Sequence, residues 1–286
     1  MSTQDVLHRY LFDNMHARGE LVQLEKTYQD IIADHNYPAG VKALLGEMLS
    51  ATCLLTATLK FEGEITVQLQ GDGPVSYLAI NGDDQQNMRG VAKLAQTTQA
   101  TGLKALIGKG TMVITIRPKA GEPYQGIVAL EKDTLADCLA NYFETSDQIP
   151  TSVWLFTDIE QGKAAGALVQ LLPDSEDKEQ QLADYNHLCQ LTQTIKQDEI
   201  FSLEAHELLY RLYHQEEVRI FEPQTVKFRC SCSEEKVLTA ISQLGQEEIA
   251  DILAEQGEIT TNCDFCLTTY RFDQSHFAQY FSDKKH

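Results

Sequence analysis

The sequence has no run of about 18 consecutive apolar residues, the length a membrane-spanning helix needs. Its most apolar stretch, Ala43 to Leu59, is interrupted by Glu47 and by several hydroxyl residues. Residues 1 to 20 include Asp5 and Asp13 and no continuous apolar segment, so they do not read as a signal peptide. Basic charge is scarce. Against 42 acidic residues there are 23 basic ones, a net charge of -19, which repels phosphate backbones and anionic lipid and argues against nucleic acid or a membrane as partners. It also favours solubility in a protein that must at times expose apolar surface. Internal repeats and low-complexity tracts are absent.

Sequence signatures of catalysis are missing too. Between Gly102 and Gly108 stand five residues, and Gly110 follows Lys109 where a phosphate loop requires Ser or Thr. His206-Glu207 opens like a zinc-protease helix, but Tyr210 occupies the place of the second histidine. No Gly-x-Ser-x-Gly elbow occurs, and no catalytic residue is assigned. Gly71-Asp72-Gly73-Pro74 reads as a hairpin turn.

What the sequence does have is seven cysteines, four of them clustered: Cys230-Ser231-Cys232 and Cys263-Asp264-Phe265-Cys266. An odd cysteine count without a secretory signal points to a reducing cytoplasm, where thiols bind metal or sense oxidants. Four thiolates suit a tetrahedral Zn²⁺ with Zn–S near ~2.3 Å and no open position for catalysis. The same sulfurs can instead form two local disulfides, and the two states exclude each other. The first pair has one intervening residue where metal knuckles usually have two to four, which favours a labile site over a static one. Cys53, Cys138 and Cys189 each lie on an apolar helical stripe and read as small buried hydrophobes.

With 286 residues, and roughly 150 residues per domain as a guide, the chain has room for two units or for one unit with an appendage. Ile65, Val67 and Leu69 alternate with Thr66, Gln68 and Gln70, the period of a half-buried strand. Residues 75–80, 112–117, 125–130 and 152–156 are further strand candidates. Helices are expected over 41–59, with Leu44, Leu45, Met48, Leu49 and Leu55, and over 134–143, entered through Asp133. These elements predict an α+β fold: an N-terminal sheet domain with helices packed on one side. Composition changes at Pro173, where residues 174–181 are polar. From Leu182 to Tyr213 two amphipathic segments follow, the second with Ser202 as its expected N-cap; each needs a surface to dock on. The expected division is a core over 1–174, a helical linker over 175–223 and a small zinc-binding domain over 224–286.

Several stretches carry a resemblance to a known family. They include residues 8–12, His-Arg-Tyr-Leu-Phe; 18–21, Arg-Gly-Glu-Leu; 54–61, Leu-Leu-Thr-Ala-Thr-Leu-Lys-Phe; and 68–74, Gln-Leu-Gln-Gly-Asp-Gly-Pro. Met88-Arg89-Gly90-Val91, Tyr124-Gln125-Gly126 and Leu212-Tyr213-His214 extend the likeness to the cysteine pairs. The chain resembles the 33 kDa chaperonins, redox-regulated heat-shock holdases of the bacterial cytosol. One departure is Leu267, because the family pattern usually follows the second pair with Gly, and a non-Gly residue disfavours a left-handed turn.

The resemblance implies a mechanism. Cys230, Cys232, Cys263 and Cys266 hold one Zn²⁺ per chain in the reduced state. Oxidation to Cys230–Cys232 and Cys263–Cys266 disulfides ejects it, and the linker helices melt. The exposed sheet then binds unfolded client proteins without ATP, as a homodimer. Two alternatives remain at this point: a thiol–disulfide oxidoreductase using Cys263 and Cys266, and a static zinc-ribbon adaptor.

Overall fold

The computed structural model describes residues 5–59, 61–172 and 177–282. Pro173 and residues 174–176 of the expected polar boundary lie outside the described residues, whereas its residues 178–181 begin a helix. Contacts divide the chain into two compact units, Met1–Arg229 and Cys230–His286.

Among the described residues the first unit holds two six-stranded sheets. The first has the order β10 (Val218–Ile220), β1 (Val6–Phe12), β2 (Ala17–Leu24), β9 (Lys163–Leu171), β8 (Thr151–Asp158), all antiparallel, with β11 (Gln224–Thr225) also paired to β1. The second runs β12 (Lys227–Phe228), β5 (Asn87–Leu94), β4 (Val75–Asp83), β3 (Gly63–Gly71), β6 (Gly110–Pro118), β7 (Tyr124–Ala129). Only its β12–β5 pair is parallel. The fold is therefore α+β, with two sheets where the alternation of polar and apolar residues indicated one.

Helix α2 (Ala39–Thr58) lies between the sheets. Leu44, Leu45, Met48 and Leu54 share one core with Leu7, Val22 and Leu168 of the first sheet and with Ile65, Val67, Ile80 and Ile114 of the second. That position accounts for its composition: α2 is long and apolar enough to cross a membrane, yet 78% of its apolar window is buried within the protein. Close approach to the first sheet depends on Gly46, where an added Cβ would come 2.8 Å from Thr157. The buried hydroxyls of Thr52 and Thr56 donate to the carbonyls of Met48 and Thr52, so the helix satisfies its own polar groups.

Shorter helices close the edges. The N-terminus of α1 (Lys26–Ile32) is capped from outside, because the Asp5 carboxylate accepts the N–H groups of Glu25, Lys26 and Thr27. Gly102 and Gly108 flank the short α3 (Leu103–Ile107). The cap of α4 (Leu135–Tyr142) is Thr134, whose hydroxyl accepts from the Asp137 N–H, one residue later than the expected entry through Asp133.

The other face of the first sheet carries the amphipathic segments as three helices: α5 (Lys178–Thr192), α6 (Gln197–Ser202) and α7 (Ala205–Tyr213). Tyr185, Leu188, Ile200, Leu208, Leu209 and Tyr213 form a second core with Tyr10, Phe12, Leu21, Ala167 and Val169. The first sheet thus has helices on both faces, not on one side only. Ser202 does not cap α7. It ends α6 and its hydroxyl donates back to the Asp198 carbonyl, while Glu204 stands at the α7 N-cap.

The second unit comprises α8 (Glu234–Ile241), α9 (Gln246–Gln256), the hairpin β13 (Ile259–Asn262) and β14 (Thr269–Phe272), and α10 (Gln274–Ser282). Its fully packed core is small: Ile249, Ile259, Phe272 and Phe277.

Candidate metal centre

The two cysteine pairs come together within the second unit. The β13–β14 hairpin places Cys263 and Cys266 in its turn; the Cys263 N–H donates to the Thr268 carbonyl, and the Leu267 N–H donates to the Cys263 carbonyl at 2.9 Å. Closing this turn takes a left-handed backbone at Leu267, with φ of 53°. The first pair precedes α8, where Ser233 caps the helix by accepting from the Lys236 N–H and the Lys236 ammonium donates to the Ser231 carbonyl. The chain between Cys230 and Cys232 is thereby tied to a helix start.

All four sulfurs lie within 4.8 Å of one another, each half-buried. The shortest contacts run between the pairs, Cys230 to Cys263 at 3.6 Å and Cys232 to Cys266 at 3.5 Å. These are contact distances, well beyond the ~2.05 Å of a disulfide bond. A tetrahedral ion with metal–sulfur bonds near ~2.3 Å needs sulfurs about 3.8 Å apart, so the four residues fit one metal ion, and an all-thiolate set suits Zn²⁺.

Partners outside the sulfur set, which sequence spacing did not reveal, are Tyr270 and Thr268. The Tyr270 hydroxyl donates to Cys232 Sγ at 3.1 Å, and the Thr268 hydroxyl is 3.2 Å from Cys266 Sγ. Burial pushes the Cys230, Cys232 and Cys263 thiols up. Burial acts on Cys266 in the same sense, but hydrogen bonds from the Thr268 hydroxyl and N–H and from the Cys232 and Cys230 thiols bring it down to about 7.

The remaining cysteines lie elsewhere. Cys53 and Cys138 are buried in the core between the sheets, and Cys189 on α5 packs against the outer core with its thiol donating to Ser152 Oγ at 3.5 Å. Cys263 and Cys266 occupy a hairpin turn and not a helix start, so the arrangement that would have favoured a thiol–disulfide oxidoreductase is not present. His206 opens α7, and among the described residues no second cluster of metal-ligating side chains occurs.

A family model described as Hsp33 protein matches residues 5–273. The chain belongs to the Hsp33 family. It is 62% identical to the 33 kDa chaperonin of Colwellia psychrerythraea over the full length of both. With the 33 kDa chaperonin of Pseudoalteromonas translucida it shares 54% identity, covering 98% of this chain and 99% of that one. The crystal structure of the Thermotoga maritima 33 kDa chaperonin superposes with a TM-score of 0.82 at 21% identity, covering 98% of this chain and 99% of that chain, which shows a common fold. In this chain the four-cysteine cluster and the helix-covered sheet are the two features a chaperone role has to connect.

Proposed function

We propose that this Hsp33-family chain is a redox-regulated, ATP-independent holdase whose client surface is the outer face of the first sheet. The observation that carries the reading is the nature of that face. Tyr10, Phe12, Leu21, Ala167 and Val169 form an apolar surface in mid-sheet, covered by three short helices with solvent on their other sides. Helices of this length are marginal once separated from a docking surface. An undocked linker therefore leaves an apolar sheet face, and exposed apolar area of that kind is what unfolded chains bind.

Cys230, Cys232, Cys263 and Cys266 are the residues that would hold one Zn²⁺ in the reduced state. A structural zinc supplies folding free energy, about 10–16 kcal/mol in small finger peptides. The second unit has a small core of its own: four buried apolar side chains, with Val237, Leu238, Ile241, Ile252, Leu253 and Tyr270 only partly buried around them. With so small a core, the thiolate cage would supply a large share of its stability in the reduced state.

Oxidation dismantles that cage. Two thiols and one peroxide give one disulfide and two waters, so two equivalents of peroxide convert all four thiols to Cys230–Cys232 and Cys263–Cys266 disulfides. The sulfurs are then no longer thiolate ligands. Chain continuity links this event to the linker: Cys230 directly follows Arg229, whose N–H donates to the Met88 carbonyl, and β10 to β12 connect α7 to that point. Loss of order after residue 229 loosens these short strands and the helices before them. The oxidised form is expected to self-associate as a homodimer.

The test is peroxide with mild heat on the purified full chain, following zinc release, disulfide pairing by peptide mapping and suppression of client aggregation together. Zinc loss and a gain of suppression should coincide. Equal suppression by the reduced, zinc-loaded protein would sink the switch.

A further inference from the structure

His8 lies on the covered face of β1, in step with Tyr10 and Phe12, and is 6% exposed. Its ring meets His206 of α7 edge-to-face, with centroids 5.5 Å apart at 87°. The Nδ1 atom is buried and has no hydrogen-bond partner. Both rings stand where the α6–α7 junction docks. Gln23 Nε2 donates to the carbonyls of Ile200 and Leu203 at 2.7 and 2.9 Å, and the Lys163 ammonium donates to the Phe201 carbonyl at 3.2 Å. A cavity of about 360 Å³ lies beneath this junction, with His8, Gln23, Lys163, Phe201 and Glu204 in its wall.

We propose that mild acid releases α6 and α7 from the first sheet through protonation of His8, a trigger independent of cysteine oxidation. The inference rests on the reading of these helices as a removable cover.

A proton on His8 has no good acceptor in the docked arrangement. From α7, His206 and Glu204 face it: the first disfavours the added charge and the second favours it. From the strand ends and the start of α1, the cavity wall brings Asp5, Glu25 and Lys163. Asp5 already accepts the N–H groups of Glu25, Lys26 and Thr27, and the Glu25 carboxylate lies 4.0 Å from the Lys163 ammonium. Burial first, and then His206, hold His8 below its ordinary 6.5 while Glu204 offsets them in part. Lifting the junction returns the imidazole to water and to its ordinary basicity. Docking is then at full strength above pH 6.5 and weakens as pH falls through the lower value of the docked state.

The readout is built in. Trp154, the single tryptophan, is partly buried against the outer-face core that α5, α6 and α7 share with the sheet. The full chain, reduced and zinc-loaded, is titrated from about pH 8 to about pH 5.5, the range in which histidine changes charge. Trp154 fluorescence, binding of an apolar dye and zinc content are recorded at each step. The expected result is a reversible rise in dye binding of about threefold or more below pH 6.5 with zinc retained. In His8→Gln the rise disappears, and in His206→Gln, an exposed position that should not perturb folding, it shrinks and moves to lower pH because the docked state then tolerates the His8 proton better. A profile unchanged in both variants overturns the proposal, as does a transition that tracks zinc loss. Should acid have no effect while peroxide still activates the protein, only this inference fails. Should acid act while peroxide does not, the redox reading is what fails.

Discussion

The first sheet is covered twice, and the two covers are built differently. On its inner face α2 buries 15 of its 20 residues, locked between two sheets. On its outer face α5 buries 4 of 15, with Gln181 and Thr192 among them. A helix buried all round cannot leave without unfolding the domain, whereas an amphipathic helix gives up one face and returns its polar side to the water it already faced. The same sheet therefore has an inner cover locked in the core and an outer one that the proposed function makes removable. Local opening at low cost is expected of the second and not of the first.

Paired truncations put that contrast at risk most directly. Leu45 on α2 and Leu208 on α7 are both fully buried, so Leu→Ala removes a similar apolar volume at each, a cost of about 2–5 kcal/mol. In Leu45→Ala the loss should appear in global stability, as a lower urea midpoint for the whole first unit. In Leu208→Ala it should fall on docking, giving dye binding and aggregation suppression in reduced, zinc-loaded protein with a nearly unchanged core midpoint. Equal shifts of the global midpoint in both variants would mean that the outer helices are as integral as α2.

The next effect separates the covers by pH. Glu20 on β2 is buried on the inner side beside the end of α2, where the Thr58 hydroxyl donates to its carboxylate at 2.8 Å. Burial raises its pKa from 4.5 to about 7, with the Thr58 hydrogen bond and then Arg18 and Arg9 opposing. A carboxyl raised in the folded state contributes stability in full below pH 4.5 and loses it as pH rises to about 7. The contribution is of order 3 kcal/mol at most. Core stability of the wild type should therefore decline between these limits, and Glu20→Gln should flatten the decline. His8 on the outer face has the opposite sign. Mild acid tightens the inner packing and loosens the outer, and a Trp154 signal that followed the Glu20 slope would remove the distinction.

The two covers also explain what could be read from the sequence. Strands β3, β4, β6 and β7 belong to the second sheet, and four of the five expected strands fall there. Its inner face packs on α2 while Thr66, Gln68 and Gln70 alternate outward, so the period of two is visible. β9, by contrast, is Lys-Ala-Ala-Gly-Ala-Leu-Val-Gln-Leu with seven consecutive buried residues, because helices lie on both sides of it. No alternation survives there, and β9 is not among the strands expected from the sequence; nor are β1, β2 and β5. The cysteine spacing was legible since turn chemistry is local. Tyr270 and Thr268 were not, because their contacts with sulfur depend on hairpin register, which no spacing encodes.

The smallest expected effect lies at Leu267, the non-glycine residue in the left-handed turn that closes the second cysteine pair. The turn there is left-handed, at φ of 53°, so the chain carries the strain of an L-residue at that position. For an L-residue that conformation costs about 1–2 kcal/mol, part of which Leu267 recovers through its half-buried side chain. Leu267→Gly should relieve the strain for a net gain of about 1 kcal/mol, read as roughly fivefold tighter zinc retention against a competing chelator. A better-held cage exposes its thiolates to peroxide less often, so the variant should need more peroxide to open the outer cover, with the inner core midpoint unmoved. If chelator competition and peroxide sensitivity both stay at wild-type values, the turn at Leu267 does not limit the site, and the sensitivity of the outer cover is set by the sulfur cluster and its Tyr270 and Thr268 partners.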